Sequence, residues 1–427
     1  MTTELTIPTA PPGLSWPDVD RVPTGVRASV AAAVAHRLFR RALGRLPLRV
    51  EYPDGTALGC SRGDLGAPRL VLHRPDDFAA RLGVSGLIGF GEAYMAGDWS
   101  APDPAAALTV LAAHIESLIP AALQTLRGLY VAKHPGAQRN TRDNTRDNIA
   151  RHYDLSNDFF ALFLDETMTY SSALFPATAP PPRWPDLAAA QHRKIDRVLD
   201  AARVGPGTRV LEIGTGWGAL AIRAAERGAR VRSVTLSTEQ RELARARIDA
   251  AGATDRVRVD LLDYREVDGE YDAVVSVEMI EAVGCEYLDT YFRSIEGLLA
   301  PRGRAALQAI TMPHRRMLAT RDTYTWIQKY IFPGGFLPST RLIAETVARG
   351  TELRVTERFP MGAHYAHTLR LWRERFDEYT DQVDGLGFDP VFRRMWQFYL
   401  AYAEAGFRSG YLDVEQFVLT RRDEEIR

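Results

Sequence analysis

Val210-Leu-Glu-Ile-Gly-Thr-Gly-Trp-Gly218 is an apolar run that breaks into three glycines at alternate positions, Gly214, Gly216 and Gly218. An apolar, β-branched stretch bounded by glycine reads as a buried strand, and glycine lets the backbone turn sharply out of it. The alternation continues downstream. Arg209–Ile213, Arg230–Leu236, Arg256–Leu262, Asp272–Val277 and Arg304–Ile310 read as strands, and Leu299-Ala-Pro-Arg-Gly303 as a turn. Ala219–Arg227 and Thr238–Ala251 read as helices. Alternating strands and helices predict an α/β fold with a doubly wound, mostly parallel, Rossmann-like sheet. Phe417–Arg421 is expected as an antiparallel edge strand.

A glycine loop between strand and helix suits a nucleotide-type cofactor, because backbone without Cβ atoms can approach a ligand closely. Gly214, Gly216 and Ala219 also match the looser GxGxxA dinucleotide pattern. Two features favour S-adenosylmethionine (SAM) over a dinucleotide. Glu212 and a third glycine, Gly218, accompany the loop, and the second strand ends at Thr235 without an immediate carboxylate for a ribose. The alternative is a tight turn with no ligand. Upstream, the stretch from His152 to Phe175 is aromatic and mostly uncharged, and is expected to form a lid where a greasy substrate meets the cofactor.

Ligands of open α/β sheets collect at the carboxyl ends of strands. There lies Glu278-Met-Ile-Glu281, whose carboxylates would share a face if a helix starts at that point. Glu281 then fixes a base or a small anion, or simply suits a helix dipole. Trp326, Tyr330 and Phe332 form an aromatic cluster that suits an acyl tunnel or a plain core, and His364-Tyr365 sits in a loop-like stretch.

The composition, 46% hydrophobic and 25% charged, is that of a folded soluble chain, and 427 residues suit two domains. A net charge of −1 provides no field to recruit nucleic acid. Cys60 and Cys285 have no metal-ligand spacing, so neither a zinc site nor a disulfide framework is expected, and a cytoplasmic setting is. No apolar run approaches membrane-spanning length, so a lipid substrate would be met from the surface. Nearly all positive charge is arginine; the lysines are Lys133, Lys194 and Lys329.

Residues 1–22 read as a flexible arm, 23–138 as a lipid- or membrane-associating domain and 139–427 as the catalytic domain. Val26 to Leu46 is amphipathic, with Arg27, Arg37, Arg40, Arg41 and Arg45 on its polar side; such a helix lies on anionic lipid or packs on its own domain. Leu48 to Leu58 reads as a hairpin turning at Asp54-Gly55, Leu70-Val-Leu-His as a strand, residues 86–99 as turn-rich, and Pro104 to about Leu129 as helical. The repeat Thr141-Arg-Asp-Asn, Thr145-Arg-Asp-Asn reads as linker.

From about residue 140 onward the chain resembles the cyclopropane-fatty-acid synthase family of SAM-dependent methyltransferases. The resemblance rests on His152-Tyr-Asp-Leu-Ser-Asn-Asp, Thr169-Tyr-Ser-Ser-Ala-Leu-Phe175, the 212–218 loop, Val234-Thr-Leu-Ser-Thr-Glu-Gln240, Lys329-Tyr-Ile-Phe-Pro-Gly-Gly and Ala405-Gly-Phe-Arg408. It implies SAM held by Tyr170, Ser171, Glu212, Gly214, Gly216, Trp217, Gly218, Thr235, Gln240, Asp263 and Tyr264. It further implies attack of an alkene on the sulfonium methyl, and a bicarbonate that removes a proton from the resulting carbocation. Ser172, Glu281, Gln308, Ile310 (through its backbone) and Tyr365 match the anion site. The family commonly has Cys at Ser172 and His at Gln308; Gln cannot take up a proton.

Val277 to Gly284, Gln308-Ala-Ile-Thr-Met-Pro and Arg408-Ser-Gly-Tyr-Leu-Asp resemble the actinobacterial tuberculostearic-acid type. The resemblance implies methylation of an oleoyl chain of phospholipid to a 10-methylene product, reduced to 10-methyl by a separate reductase. It also implies peripheral placement at the inner face of the cell membrane, with homo-oligomerisation left open. Cyclopropanation, methylation of a small amine, and a non-catalytic lipid-binding role are the rival expectations.

Overall fold

The computed structural model describes residues 15–60, 66–115, 155–176 and 180–422. The expected boundary near 138, the Thr141 repeat and His152-Tyr-Asp lie outside them. The chain divides into two compact units, Met1–Ala121 with Arg373–Tyr402, and Ala122–Trp372 with Ala403–Arg427.

The first unit carries a four-stranded sheet in the order β2-β1-β3-β4, from β1 (Arg49–Glu51), β2 (Ala57–Gly59), β3 (Arg69–Leu72) and β4 (Trp99–Ser100). The expected hairpin is present: Val50 faces Leu58, Gly55 turns at φ 84°, and Asp54 accepts from the Thr56 amide at 2.8 Å. Residues 86–99 depart from the expected turns. Leu87–Ala96 is a helix, and its Gly89 serves packing: a Cβ there would lie 1.9 Å from the Arg81 carbonyl oxygen of the neighbouring Pro75–Ser85 helix. The returning segment joins this unit through Phe398, whose ring lies 5.4 Å from Tyr94 and 6.1 Å from Trp99. The amphipathic helix spans Val26–Leu43, and only part of its apolar set is covered. Leu43 is buried, whereas Val26, Val30 and Val34 are 82%, 61% and 53% exposed on the surface that also bears Arg27, Arg37 and Arg41.

The second unit is built on a seven-stranded sheet, β10-β11-β9-β8-β5-β6-β7. Its strands are β5 (Arg209–Ile213), β6 (Arg230–Thr235), β7 (Val257–Leu261), β8 (Tyr271–Val277), β9 (Leu299–Thr311), β10 (Leu353–Pro360) and β11 (Asp413–Arg421). β5 to β9 are mutually parallel, as alternating βα units require. Two expectations fail here. β11 is not an edge: it lies antiparallel between β9 and β10, and the edge is β10, whose Arg354, Thr356 and Glu357 hid it from an apolar-run criterion. Leu299 to Gly303 is the start of β9, since Leu299 already pairs with Tyr271. Leu211, Val274, Ala305 and Leu307 fill the sheet interior at 3% exposure or less, with Phe292 and Ile295 of the Leu288–Leu298 helix packed on them. Each such Leu, Ile, Val or Phe side chain contributes roughly 1.5–3 kcal/mol on burial.

Candidate functional site

β5, β6 and β8 end side by side, with Ile213 opposite Val234 on one flank and Ser276 on the other. The loops that leave these strands therefore converge. Gly214, Gly216 and Gly218 all take positive φ (96°, 51° and 88°), the region open to glycine. A Cβ at Gly214 would meet Met279 Cγ at 2.4 Å, whereas one at Gly216 would enter open space. The loop thus packs tightly against the β8 exit at one glycine and turns bare backbone outward at the next. Gly216 thereby leaves room for a nucleoside-methionine cofactor to approach the bare backbone.

The other expected cofactor positions are distributed around this loop. Thr235 Oγ1 donates to Gln240 Oε1 at 3.0 Å, and the Ser237 hydroxyl caps the Thr238–Ala250 helix by accepting from the Gln240 amide. Trp217 Nε1 donates to Asn157 Oδ1 at 2.7 Å, tying the loop to the Asn157–Phe163 helix. Tyr170 packs 5.3 Å from Phe160 and 5.4 Å from Trp372. Phe159, Phe160 and Phe163 are fully buried, so the described part of the expected lid is a core plug that positions Tyr170 and Trp217. Asp263 is held by Arg265, which donates through its backbone and guanidinium, and burial pushes the neighbouring Tyr264 hydroxyl up to about 12. Glu212 points into the sheet: Ser233 Oγ donates to it at 2.5 Å, and burial raises its carboxyl to about 8.

Beside the glycine loop, β8 is followed by Glu278, a non-glycine residue at φ 51°. Such a backbone costs about 1–2 kcal/mol and is retained only where its surroundings demand it. No α-helix starts here. Glu281 sits in the 3-10 turn Ile280–Ala282, and the two carboxylates take different hydrogen-bond partners. Three expected anion-site residues converge on Glu278: the Ser172 amide donates at 2.9 Å and Gln308 Nε2 at 2.8 Å to one oxygen, and the Tyr365 hydroxyl donates at 2.7 Å to the other. Ser172 Oγ donates instead to the Ala173 carbonyl at 3.1 Å. Tyr365 is delivered by the first turn of the Gly362–Glu378 helix, not by a loop. The Ile310 amide donates to Glu281 Oε1 at 2.5 Å, and Glu281 Oε2 is buried without a partner among the described residues.

Glu278 was visible in the sequence only as the first half of an acidic pair; its left-handed backbone and triple acceptor role were not. Lys194 was missed altogether. It is almost fully buried on the Leu187–Ala201 helix and donates to Ser171 Oγ at 2.6 Å. Burial lowers its ammonium to about 8 against the opposing pull of Glu278, Asp165 and Glu212. Burial likewise raises Glu278, offset by its donors and Lys194; burial and then the Glu278 charge raise Glu281 to about 8. Trp326 is buried and Tyr330 packs 5.5 Å from it, as core aromatics do.

A mostly parallel sheet of this order, with a glycine cradle at the β5 exit, defines a SAM-dependent methyltransferase. The sequence profile described as mycolic acid cyclopropane synthetase matches residues 140–417. Tuberculostearic acid methyltransferase UfaA1 of Mycobacterium tuberculosis is 58% identical over 408 residues, 95% of each chain. Cyclopropane-fatty-acyl-phospholipid synthase of Escherichia coli is 34% identical over 364 residues, covering 83% of this chain and 88% of that one. The solved structure of mycolic acid cyclopropane synthase CmaA1, complexed with SAH and CTAB, matches with a TM-score of 0.58 at 33% identity, covering 64% of this chain and 97% of that one. The chain belongs to the mycolic acid cyclopropane synthetase family.

Proposed function

We propose that this methyltransferase adds a methyl group to the double bond of an oleoyl chain in phospholipid and yields a 10-methylene branch. The observation that carries this reading is the 58% identity to tuberculostearic acid methyltransferase UfaA1; within the fold it is supported by an asymmetric acid pair, Glu278 with both oxygens bonded to donors and Glu281 with one buried oxygen bare. Bound at Gly214–Gly218, Thr235, Gln240 and Tyr170, SAM supplies an electrophilic methyl on a sulfonium.

The chain's own residues do the rest. The rings of Tyr170, Phe160 and Trp372 exclude water, which would otherwise capture a carbocation on the acyl chain. Glu278, fixed by Ser172, Gln308 and Tyr365, places a negative charge beside that cation. Glu281 Oε2, buried without a partner among the described residues, would hold a small anion such as bicarbonate by donating its carboxyl proton, and an anion held there would supply a base for the departing proton. Gln308 orients Glu278 but cannot take up a proton, so it is not the base. Reduction of the methylene to a methyl falls to a separate reductase.

The exposed Val26, Val30 and Val34 with Arg27, Arg37 and Arg41 suit an anionic bilayer surface, and no described helix is long and apolar enough to cross a membrane. The test is incubation with SAM and dioleoyl phospholipid vesicles, followed by proton NMR of the released esters. Vinylic exomethylene signals are expected. Upfield ring protons would replace this reading with cyclopropanation, and turnover of a small amine but not of lipid would replace it altogether.

A further inference from the structure

Gln308 is not oriented by the acid pair alone. In the antiparallel ladder it stands directly opposite Gln416 of β11. Gln416 Nε2 donates to Gln308 Oε1 at 3.0 Å and to the Lys194 carbonyl at 3.4 Å. Gln416 Oε1 accepts from Arg197 at 2.7 Å, and Arg197 in turn reaches Glu357 of β10 at 2.7 Å and lies 3.8 Å over the Phe359 ring. The two glutamines are 1% and 3% exposed, while Glu357 reaches solvent.

Each link in this chain has a forced direction. Arginine only donates, so the Gln416 atom facing it must be oxygen. The Gln416 nitrogen then faces Gln308 and a backbone carbonyl, which only accepts. Gln308 must therefore turn its oxygen to Gln416 and its nitrogen to Glu278. No side-chain amide in the path can be flipped without setting two acceptors or two donors against each other in a buried site, where each mismatch is costly.

We propose that Arg197 and Gln416 are positioning residues that fix the amide orientation of Gln308, so that its Nε2 joins the Ser172 amide in donating to one oxygen of Glu278 and the site holds a single charge geometry. For its catalytic consequence the relay rests on the proposed methyl transfer; its structural consequence does not. Without the guanidinium, Gln416 and then Gln308 can turn over, placing a carbonyl oxygen against the Glu278 carboxylate.

The experiment compares wild type, Arg197→Met and Arg197→Lys, since Arg197 lies near the surface and its replacement spares the core. The first readout is NMR of the free protein labelled with 15N-glutamine, with side-chain resonances assigned through Gln308→Leu. Wild type and Arg197→Lys should show one displaced, slowly exchanging NH2 pair for Gln308, and Arg197→Met should lose it. The second is steady-state kinetics with SAM and dioleoyl vesicles: Arg197→Met should lower kcat about tenfold, as loss of an orienting partner does, with KM for SAM unchanged. Arg197→Lys should recover to within about twofold of wild type on the same scale. Gln308 resonances unmoved by Arg197→Met would overturn the relay whatever the substrate. Moved resonances in an enzyme that never methylates lipid would retain the relay and remove the lipid reading.

Discussion

Glu278 and Glu281 stand three residues apart, yet Glu278 accepts three hydrogen bonds while Glu281 keeps one buried oxygen without a partner among the described residues. The cause is the backbone: φ of 51° at Glu278 turns its side chain toward Ser172, Gln308 and Tyr365, and the following 3-10 turn sends Glu281 to the Ile310 amide. Burial raises the Glu278 carboxyl as well, and the donors on both of its oxygens, with Lys194, pull against that rise. Burial, together with the charge next door, favours the protonated form of Glu281. Two acids in one site are thereby assigned different roles.

That division has a signature in stability. The Glu281 carboxyl lies at about 8 in the folded protein against an ordinary 4.5. Between those values the native state binds the extra proton, so the stability this group confers is complete below about 4.5 and is lost as pH rises through about 8. Glu281→Gln keeps shape without titrating. The fall in Tm from pH 6 to 9 should therefore be steeper in wild type than in Glu281→Gln, measured by calorimetry without cofactor; parallel curves would contradict the assignment.

Tyr365→Phe removes one donor from a buried carboxylate and leaves the ring packed 4.5 Å from Phe407. Urea unfolding should show a loss of about 1–3 kcal/mol, the scale of an unsatisfied buried acceptor. SAM affinity by titration calorimetry should be unchanged and kcat reduced. A stability loss with unchanged kcat would make the tyrosine structural only.

The glycine cradle separates packing from ligand approach. Gly214→Ala drives a methyl into Met279 and should lower both Tm and SAM affinity. Gly216→Ala meets nothing within 4 Å, so it should cost only about 1–2 kcal/mol for the left-handed backbone while weakening SAM binding at least tenfold. Equal effects on binding and stability at both positions would mean that the loop is simply a turn.

In the first unit, Gly89→Ala would place a carbon 1.9 Å from the Arg81 carbonyl oxygen and force the two helices apart. A stability loss of about 3 kcal/mol or more is expected from overpacking at backbone. A near-wild-type unfolding midpoint would show that the interface yields.

What the sequence disclosed followed from pattern strength. The parallel core, β5 to β9, was legible because βα alternation and apolar runs coincide there, and the Gly214–Gly218 loop because positive φ has a residue-level mark. β10 was not legible: as an edge it tolerates Arg354, Thr356 and Glu357, which disguise a strand. Residues 86–97 misled for the opposite reason, since glycine that admits a neighbouring helix looks the same in sequence as glycine that turns. At the site, residue types were readable but their aim was not. Glu278 carries its role in one dihedral angle, and Lys194 and Gln416 gain theirs from helix and ladder neighbours more than 20 residues away.

The most direct test of the account is transfer of a labelled methyl group from SAM to dioleoyl vesicles by Glu281→Gln, alongside calorimetry of SAM binding to the same protein. The account predicts near-native affinity with turnover reduced by at least about two orders of magnitude, as for a group that acts only in the transition state. Near-normal turnover with intact SAM binding would remove Glu281 from the mechanism and contradict the acid pair as the reacting centre.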